Sequence, residues 1–377
     1  MRDKGAWSAV AYASRVTEVS ARGGTATYEG EDRFRQGMGL DPLIDPSKYD
    51  VTRASKSLLV PEGDVFILKF GVAMPVETDI DTTGSMGKNV DIAFRVQPKV
   101  QDLLIQGGSA VLRRYHSQIA TGVVQDRSDQ FPYERSQFEP DNEVERQMGL
   151  LVPERSGGDQ TEDYQLGLFA ATYLTEASIV EYGLRGYYFV VGDERGRDEL
   201  EERVLKNVFG PSVLEKAFGK NQPQKLPSTV DVGKKLLESW HSFFLQVGAN
   251  RYTMDWWSDV LGRERVIKLP NTEDLAEVQA VIIGLTEGAL DLKSAVDFLT
   301  EARVSRDEAK RIVDACGQIP IGLQTTFPNF GKIPAAGAKF ASREDIWPIG
   351  MSGASPGKKP GKDTEPVPNK EKEDWRV

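Results

Sequence analysis

From Asp64 onward the chain alternates short apolar runs with stretches in which apolar residues recur at a helical period, and this constrains the fold more than any other feature. Strand-length runs separated by helix-length segments build βαβ units, because a parallel neighbour can be reached only by a crossover that packs back onto the sheet. Strands are expected over 64–73, 75–81, 118–125, 186–191, 242–248 and 265–269. After the second of these, Val90, Ala93, Val96, Val100, Leu103 and Leu104 keep close to a helical spacing, with Pro98 expected to kink or end the helix. Segments 162–183, 198–209 and 272–288 also read as helices. Thr272 is a candidate cap without a capping-box partner, since Leu275 stands three residues on. Ser305 followed by Glu308 has the capping-box spacing and is expected to open a last helix, which would form a hairpin with 290–302.

These patterns divide the chain. Residues 1–61, Gly-rich and charged, read as a partly ordered N-terminal extension; 62–290 hold the α/β domain; 291–317 form a helical hairpin. Residues 318–352 carry Phe327, Phe330, Phe340 and Trp347 without periodicity and read as an extended arm. The remainder, 353–377, is rich in Pro, Gly and charge with little to bury, and is expected to be disordered.

Composition removes several function classes. Lys and Arg number 47 against 57 Asp and Glu, a net charge of −10, and no basic block is suited to a phosphate backbone. Nucleic acid is therefore not expected as a partner. The single cysteine, Cys316, excludes an intrachain disulfide and fits a reducing compartment. The N-terminal stretch lacks the apolar core of a signal peptide, and no run approaches the ~20 apolar residues of a membrane span, so a soluble cytoplasmic protein with no membrane partner is expected. His116 and His241 are too few for a multi-histidine zinc site, and both read as structural.

The chemistry is concentrated in Asp79–Gly87, DIDTTGSMG. If Ile80 ends a strand, Asp81 stands at the carboxyl edge of the sheet, where open parallel sheets place their ligands. A hard cation there needs oxygen donors. Asp81 offers a carboxylate, Thr83 and Ser85 offer hydroxyls, Gly84 and Gly87 let the loop turn, and water fills the remaining positions of magnesium.

These residues resemble the metal-ion-dependent adhesion site of von Willebrand factor type A (VWA) domains, whose first loop reads Asp-x-Ser/Thr-x-Ser before a helix. FVVGDERGRD places Asp193 after an apolar strand, where that family keeps a metal-site aspartate, and GGDQTEDYQLGLFAA (157–171) resembles its middle loop and following helix. FFLQVG and the stretch 256–285 resemble the last strands and closing helix. The resemblance covers roughly 62–290 and implies a Rossmann-like, doubly wound, mainly parallel α/β fold with a C-terminal helical appendage. It further implies a magnesium, manganese or calcium site at Asp81, Thr83, Ser85 and Asp193. In the middle loop, counting back from Gly167-Leu168 lands on Glu162 rather than its neighbour Thr161, which leaves Thr161, Glu162 and Asp159 as alternatives. The function implied is non-catalytic: the metal docks an Asp or Glu carboxylate of a partner protein. Soluble bacterial members often work beside an AAA-type ATPase or within larger assemblies.

A second reading uses the same letters. Asp79-x-Asp81-x-Thr83 also resembles the opening motif of haloacid-dehalogenase-like phosphatases, which implies Asp79 as nucleophile, Asp81 as general acid/base and Asp193 or Asp198 as magnesium ligands. Against it stand Pro75, Glu77 and Thr78 in the preceding strand, the Thr-Gly-Ser-Met continuation, and the closing VQAVIIGL helix. GSMGKNV lacks the spacing of a phosphate-cradling loop. Asp126 and Asp129 read as loop acids at the same edge, Trp256-Trp257 as partly buried, Cys316 as an inert thiol, and Lys358, Lys359 and Lys362 as part of a solvated linker.

Overall fold

Strand Val72–Asp81 (β1) is central to a six-stranded sheet in the structure, a computed structural model that describes residues 7–21, 28–48, 53–105, 111–157, 161–220 and 222–346. With Tyr115–Val124 (β2), Tyr133–Arg135 (β3), Gly186–Gly192 (β4), Trp240–Gln246 (β5) and Val266–Lys268 (β6), the order is β6-β5-β4-β1-β2-β3. Every pair is parallel except β2–β3, at one edge. β1 pairs along its whole length with β2 and from Val76 to Ile80 with β4, and all 10 of its residues are buried. A doubly paired strand normally excludes proline. Pro75 stands one residue before the pairing with β4 begins, its ring packed on Gly186, where a Cβ would come within 2.7 Å.

The apolar stretch 64–73 is divided between two sheets. Gly71, at φ 98°, turns the chain in a conformation that a side chain would strain. Before it, Val65–Leu68 pairs with Leu59–Glu62 and with Lys339–Phe340, so part of the 318–352 arm completes a small antiparallel sheet.

The crossovers carry α1 (Asn89–Val96), α2 (Lys99–Ile105), α3 (Tyr164–Tyr173), α4 (Glu202–Phe209), α5 (Thr229–Leu236), α6 (Arg251–Leu261) and α7 (Leu275–Thr286). The pair α8 (Leu292–Glu301) and α9 (Arg306–Ala315) follows. Apolar residues form two cores, one on each sheet face. Val76 and Ile80 join α1, α2 and α7 to α9 in one, while Ala120, Val124, Val190 and Phe244 join α3 to α6 in the other. Pro98 separates α1 from α2. In the segment 162–183 the α-helix covers only Tyr164–Tyr173, because Thr175–Ala177 pairs in parallel with Arg53–Ser55 of the N-terminal segment; a 3₁₀ helix follows over Ser178–Tyr182. Another part of that segment is anchored through Trp7, whose indole donates to Asp102 at 3.0 Å.

Thr272 does not cap α7; its hydroxyl donates to Asn89 at 2.8 Å, and Asp274 holds the cap position. Ser305 accepts from the Glu308 amide at 3.4 Å, as its spacing suggested, and a reciprocal box absent from the sequence reading joins Asp291 and Ser294 at the start of α8. Cys316 is buried, its thiol pushed up to about 12 by burial. No described helix is long and apolar enough to cross a membrane. Trp347 and the segment 353–377 lie outside the described residues.

Glu287 sits at the amino end of the sheet, accepting hydrogen bonds from Tyr187 at 2.7 Å and Tyr115 at 3.0 Å. Burial pushes its carboxyl up from 4.5 to about 7. Because the folded value is the higher, the stabilising proton is fully held below the unfolded value and lost as pH rises through the folded one. In urea denaturation, wild type is expected to lose about 2–3 kcal/mol between pH 5 and pH 8 relative to Glu287→Gln, whose amide does not titrate. Parallel curves for the two proteins would contradict this assignment.

Candidate metal centre

Alternate side chains of a strand share a face, so Glu77, Asp79 and Asp81 form a ladder of acids on the α3 side of β1, about 7 Å apart. Each is stabilised differently. Glu77 is paired with Arg135 of β3 at 2.9 Å, both buried. Asp79 accepts from the Tyr188 hydroxyl at 2.5 Å and is enclosed by Gly122 of β2 and Gly167 of α3; a Cβ on either glycine would come within 2.0 Å of a carboxylate oxygen. Burial, then the Glu77 charge, drives the Asp79 carboxyl well above its ordinary range. On the opposite face Thr78 accepts from Gln97 at 2.9 Å and Gln279 at 3.0 Å. The preceding strand is therefore buried despite Pro75, Glu77 and Thr78, and their presence does not separate the two functional readings as the sequence suggested.

Asp81 ends the ladder at the carboxyl edge. One of its oxygens accepts from the Thr83 amide at 2.9 Å and the Thr83 hydroxyl at 2.6 Å, while the other accepts from the Tyr164 hydroxyl. Thr83 lies 3.2 Å from the Ser85 hydroxyl, which donates to Asp193 at 2.9 Å. Each hydroxyl thus gives its one proton to a carboxylate, Thr83 to Asp81 and Ser85 to Asp193, and the two hydroxyl oxygens face one another with no proton to share. The loop that carries both hydroxyls makes a single 3₁₀ turn over Gly84–Met86, held by the Gly84 amide donating to Ser156 at 2.8 Å and released by Gly87 at φ 50°.

Strand alternation separates two of the middle-loop alternatives, Thr161 and Glu162. Thr161–Glu162 pairs in parallel with Arg195–Gly196, so the two side chains point to opposite sides and only one can face Asp81. That one is Glu162, which reaches Thr83 and feels the Asp81 charge, while Thr161 accepts from Arg197 at 3.0 Å. Asp159 lies outside the described residues. Glu162 is 2% exposed and one of its oxygens has no hydrogen-bond partner.

The electrostatics are those of an acid cluster lacking a counter-charge. Burial raises Glu162 to about 9, helped by Asp81, Glu194 and Asp126; burial raises Asp81 to about 7, helped by Asp193; Asp193 is also raised by burial. No lysine or arginine stands among the largest influences on these three. Of the nearby acids, Asp126 pairs with Arg197 at 2.7 Å and Asp198 binds Arg195 at 2.9 Å and Trp256 at 2.8 Å, whereas Asp129 accepts from the Asp126 amide at 2.9 Å and is raised to about 6 by burial, helped by Glu154 and Asp126. Trp257 is buried and stacks on Phe244, whereas Trp256 is half-buried. Among the described residues, no three His, Cys, Asp or Glu side chains are arranged to hold a metal by themselves. The donors gathered here are a mixture of carboxylate and hydroxyl oxygens, a set that suits a hard cation keeping part of its water. The unpartnered Glu162 oxygen fits a cation as well.

Two contributors escaped the sequence reading. Tyr164 binds Asp81 directly, and Gly192 leaves room for it, since a Cβ there would meet the Tyr164 hydroxyl at 2.0 Å and Asp81 at 3.1 Å. Both stand within two residues of the motif positions Glu162 and Asp193.

No family model matches the chain, and no curated protein does. Among solved structures, the pilus adhesin SpaC from Lactobacillus rhamnosus GG is similar at 13% identity and a TM-score of 0.36, over 61% of this chain and 34% of that one. Its open conformation gives 14% and 0.35, over 61% and 33%. Proximal thread matrix protein 1 from the mussel byssus gives 11% and 0.33, over 57% of this chain and 48% of that one. The chain thus spans about a third of the adhesin's length and about half of the byssus protein's. At these scores the likenesses carry neither fold nor function to this chain.

Proposed function

We propose that this chain is a VWA-type, metal-dependent adaptor that binds a partner protein rather than transforming a substrate. The observation that carries this reading is the convergence of two carboxylate–hydroxyl pairs, Asp81 with Thr83 and Ser85 with Asp193, at the carboxyl edge, with one Glu162 oxygen lacking a hydrogen-bond partner beside them and, among the described residues, no lysine or arginine in an ion pair with these acids. Asp81, Thr83, Ser85, Asp193 and Glu162 would hold magnesium, or manganese or calcium in its place. When bound, the cation supplies a Lewis-acidic position for an Asp or Glu carboxylate of the partner. The protein's own residues fix the donors: Tyr164 orients Asp81, and Ser156 anchors the loop at Gly84. The cytoplasm, and an assembly with an AAA-type ATPase or a larger complex, belong to the same proposal.

The phosphatase alternative asks Asp79 to be ionised and open to substrate. Asp79 is wholly buried between two glycines and a tyrosine, and its carboxyl is held toward the neutral form. Affinity capture with purified chain in magnesium or in chelator tests the adaptor reading, with Asp81→Ala in parallel. Retention of a partner is expected only for wild type with metal; equal retention in chelator would overturn it. Phosphate release from generic phosphomonoesters, lost in Asp79→Asn, would revive the alternative.

A further inference from the structure

Away from the metal centre, Arg185 at the amino edge of the sheet and Arg265 further along it have, among the described residues, no carboxylate closer than the 3.6 Å between Arg265 and Glu264. Their backbones are not level, since Arg185 stands beside Ser239 of β5 and Arg265 beside Phe243, so it is the long side chains that bring the two charges within reach of each other and of His241. Arg185 directly precedes β4 and Arg265 directly precedes β6, where it lies level with Phe243 of β5; strand alternation then places Arg185, Tyr187, His241, Phe243 and Arg265 on one face. Arg185 lies over the Phe327 ring at 5.0 Å and Arg265 over Phe243 at 5.7 Å. The Arg185 Nε is buried with no hydrogen-bond partner among the described residues, and Arg265 has only the exposed, adjacent Glu264 at 3.6 Å. His241 lies between them, its Nε2 2.8 Å from Gln324 and its Nδ1 buried without a partner. Burial first, and then both guanidinium charges, hold His241 neutral, at about 3.

Four other arginines that face inward are matched by carboxylates. Arg127, Arg135, Arg155 and Arg197 grip Asp163, Glu77, Asp91 and Asp126 at 2.8, 2.9, 2.6 and 2.7 Å. With 57 acidic residues against 47 basic ones, the unmatched pair does not reflect a shortage of carboxylates.

We propose that Arg185 and Arg265 form an oxyanion site that takes a phosphate-class ligand at the amino edge of the sheet, beside Phe327 and Gln324 of the arm. Stacking on an aromatic face leaves the in-plane N–H donors of a guanidinium available, and the planar fork matches phosphate oxygens. A bound dianion offsets the repulsion between the two charges. It also favours the docked arm, since Gln324 donates to the Arg185 carbonyl at 2.8 Å and Phe327 covers its side chain. This site is independent of the metal centre and does not require it.

The test is titration calorimetry of inorganic phosphate into wild type, Arg185→Gln, Arg265→Gln and the double variant, with ionic strength held constant by chloride and folding checked by circular dichroism. One site is expected in wild type, with each single variant losing about tenfold or more in affinity and the double variant silent. Without phosphate, the single variants are expected to be at least as stable as wild type, because each removes an unmatched charge. Should a glutamine variant fail to fold, Arg185→Lys and Arg265→Lys keep the charge but not the fork, and the same loss of affinity is expected. No phosphate binding by wild type, or binding unchanged in the substituted proteins (an adventitious ion only), would overturn the site.

Discussion

Arg135→Met is expected to destabilise the protein by about 3–5 kcal/mol, because it strands the Glu77 carboxylate in the middle of β1. The pair is buried on both sides, at 4% and 0% side-chain exposure, so water cannot replace the lost partner. Arg135 also donates to the Thr175 hydroxyl at 2.9 Å and the Leu174 carbonyl at 3.4 Å, fastening the end of α3 to β3. A large effect alone would not identify the cause. The double variant Glu77→Gln with Arg135→Met removes the stranded charge and should recover a substantial part of the loss, giving a coupling energy on the order of 1–3 kcal/mol. Urea denaturation of the four proteins measures it, and additive effects would contradict the assignment.

Gly167→Ala is the second, and here two effects predict opposite signs. Alanine is the better helix former by roughly 1 kcal/mol, so propensity alone makes the change stabilising. Packing opposes it. The new Cβ would lie 2.0 Å from one Asp79 oxygen and 2.7 Å from the Tyr188 hydroxyl, and the carboxyl cannot retreat because Gly122 stands equally close on its other side. Overpacking a site closed on both sides costs about 1–3 kcal/mol or more, enough to exceed the propensity gain. The net expectation is a loss of about 2 kcal/mol, partly relieved by a second change, Asp79→Ala, that opens the space. A stabilised Gly167→Ala protein would show that α3 can shift away from β1. Such a shift would carry Tyr164 with it, so the contact of Tyr164 with Asp81 depends on the same close approach.

The legible parts of the sequence were those encoded locally. The runs at 186–191 and 242–248 announce β4 and β5 because an apolar, aromatic stretch bounded by polar residues has few other uses, and Pro98 marks a helix boundary by its missing donor. Thr83 and Ser85 could be placed beside Asp81 because a short loop brings them back to the strand that it leaves. What stayed hidden depends on partners far along the chain. Glu77 looks out of place in a buried strand until Arg135, 58 residues away, is paired with it. Thr161 and Glu162 could not be told apart, since their orientation is set by pairing with Arg195–Gly196. Tyr164 reads as one more helix residue until β1 is packed beneath it. Thr272 has the chemistry of a cap and spends its hydroxyl on Asn89 of α1 instead. In each case the local letters allow a role that a long-range contact then decides.

Asp81, Thr83, Ser85, Asp193 and Glu162 are proposed to hold a divalent cation. Calorimetric titration of magnesium and manganese into wild type, Asp81→Ala and Asp79→Asn, each verified as folded, tests it most directly. A single site is expected in wild type, retained in Asp79→Asn because that side chain is sealed beneath the centre, and lost in Asp81→Ala. Binding that persists in Asp81→Ala, or that disappears in Asp79→Asn while the fold is intact, would contradict it.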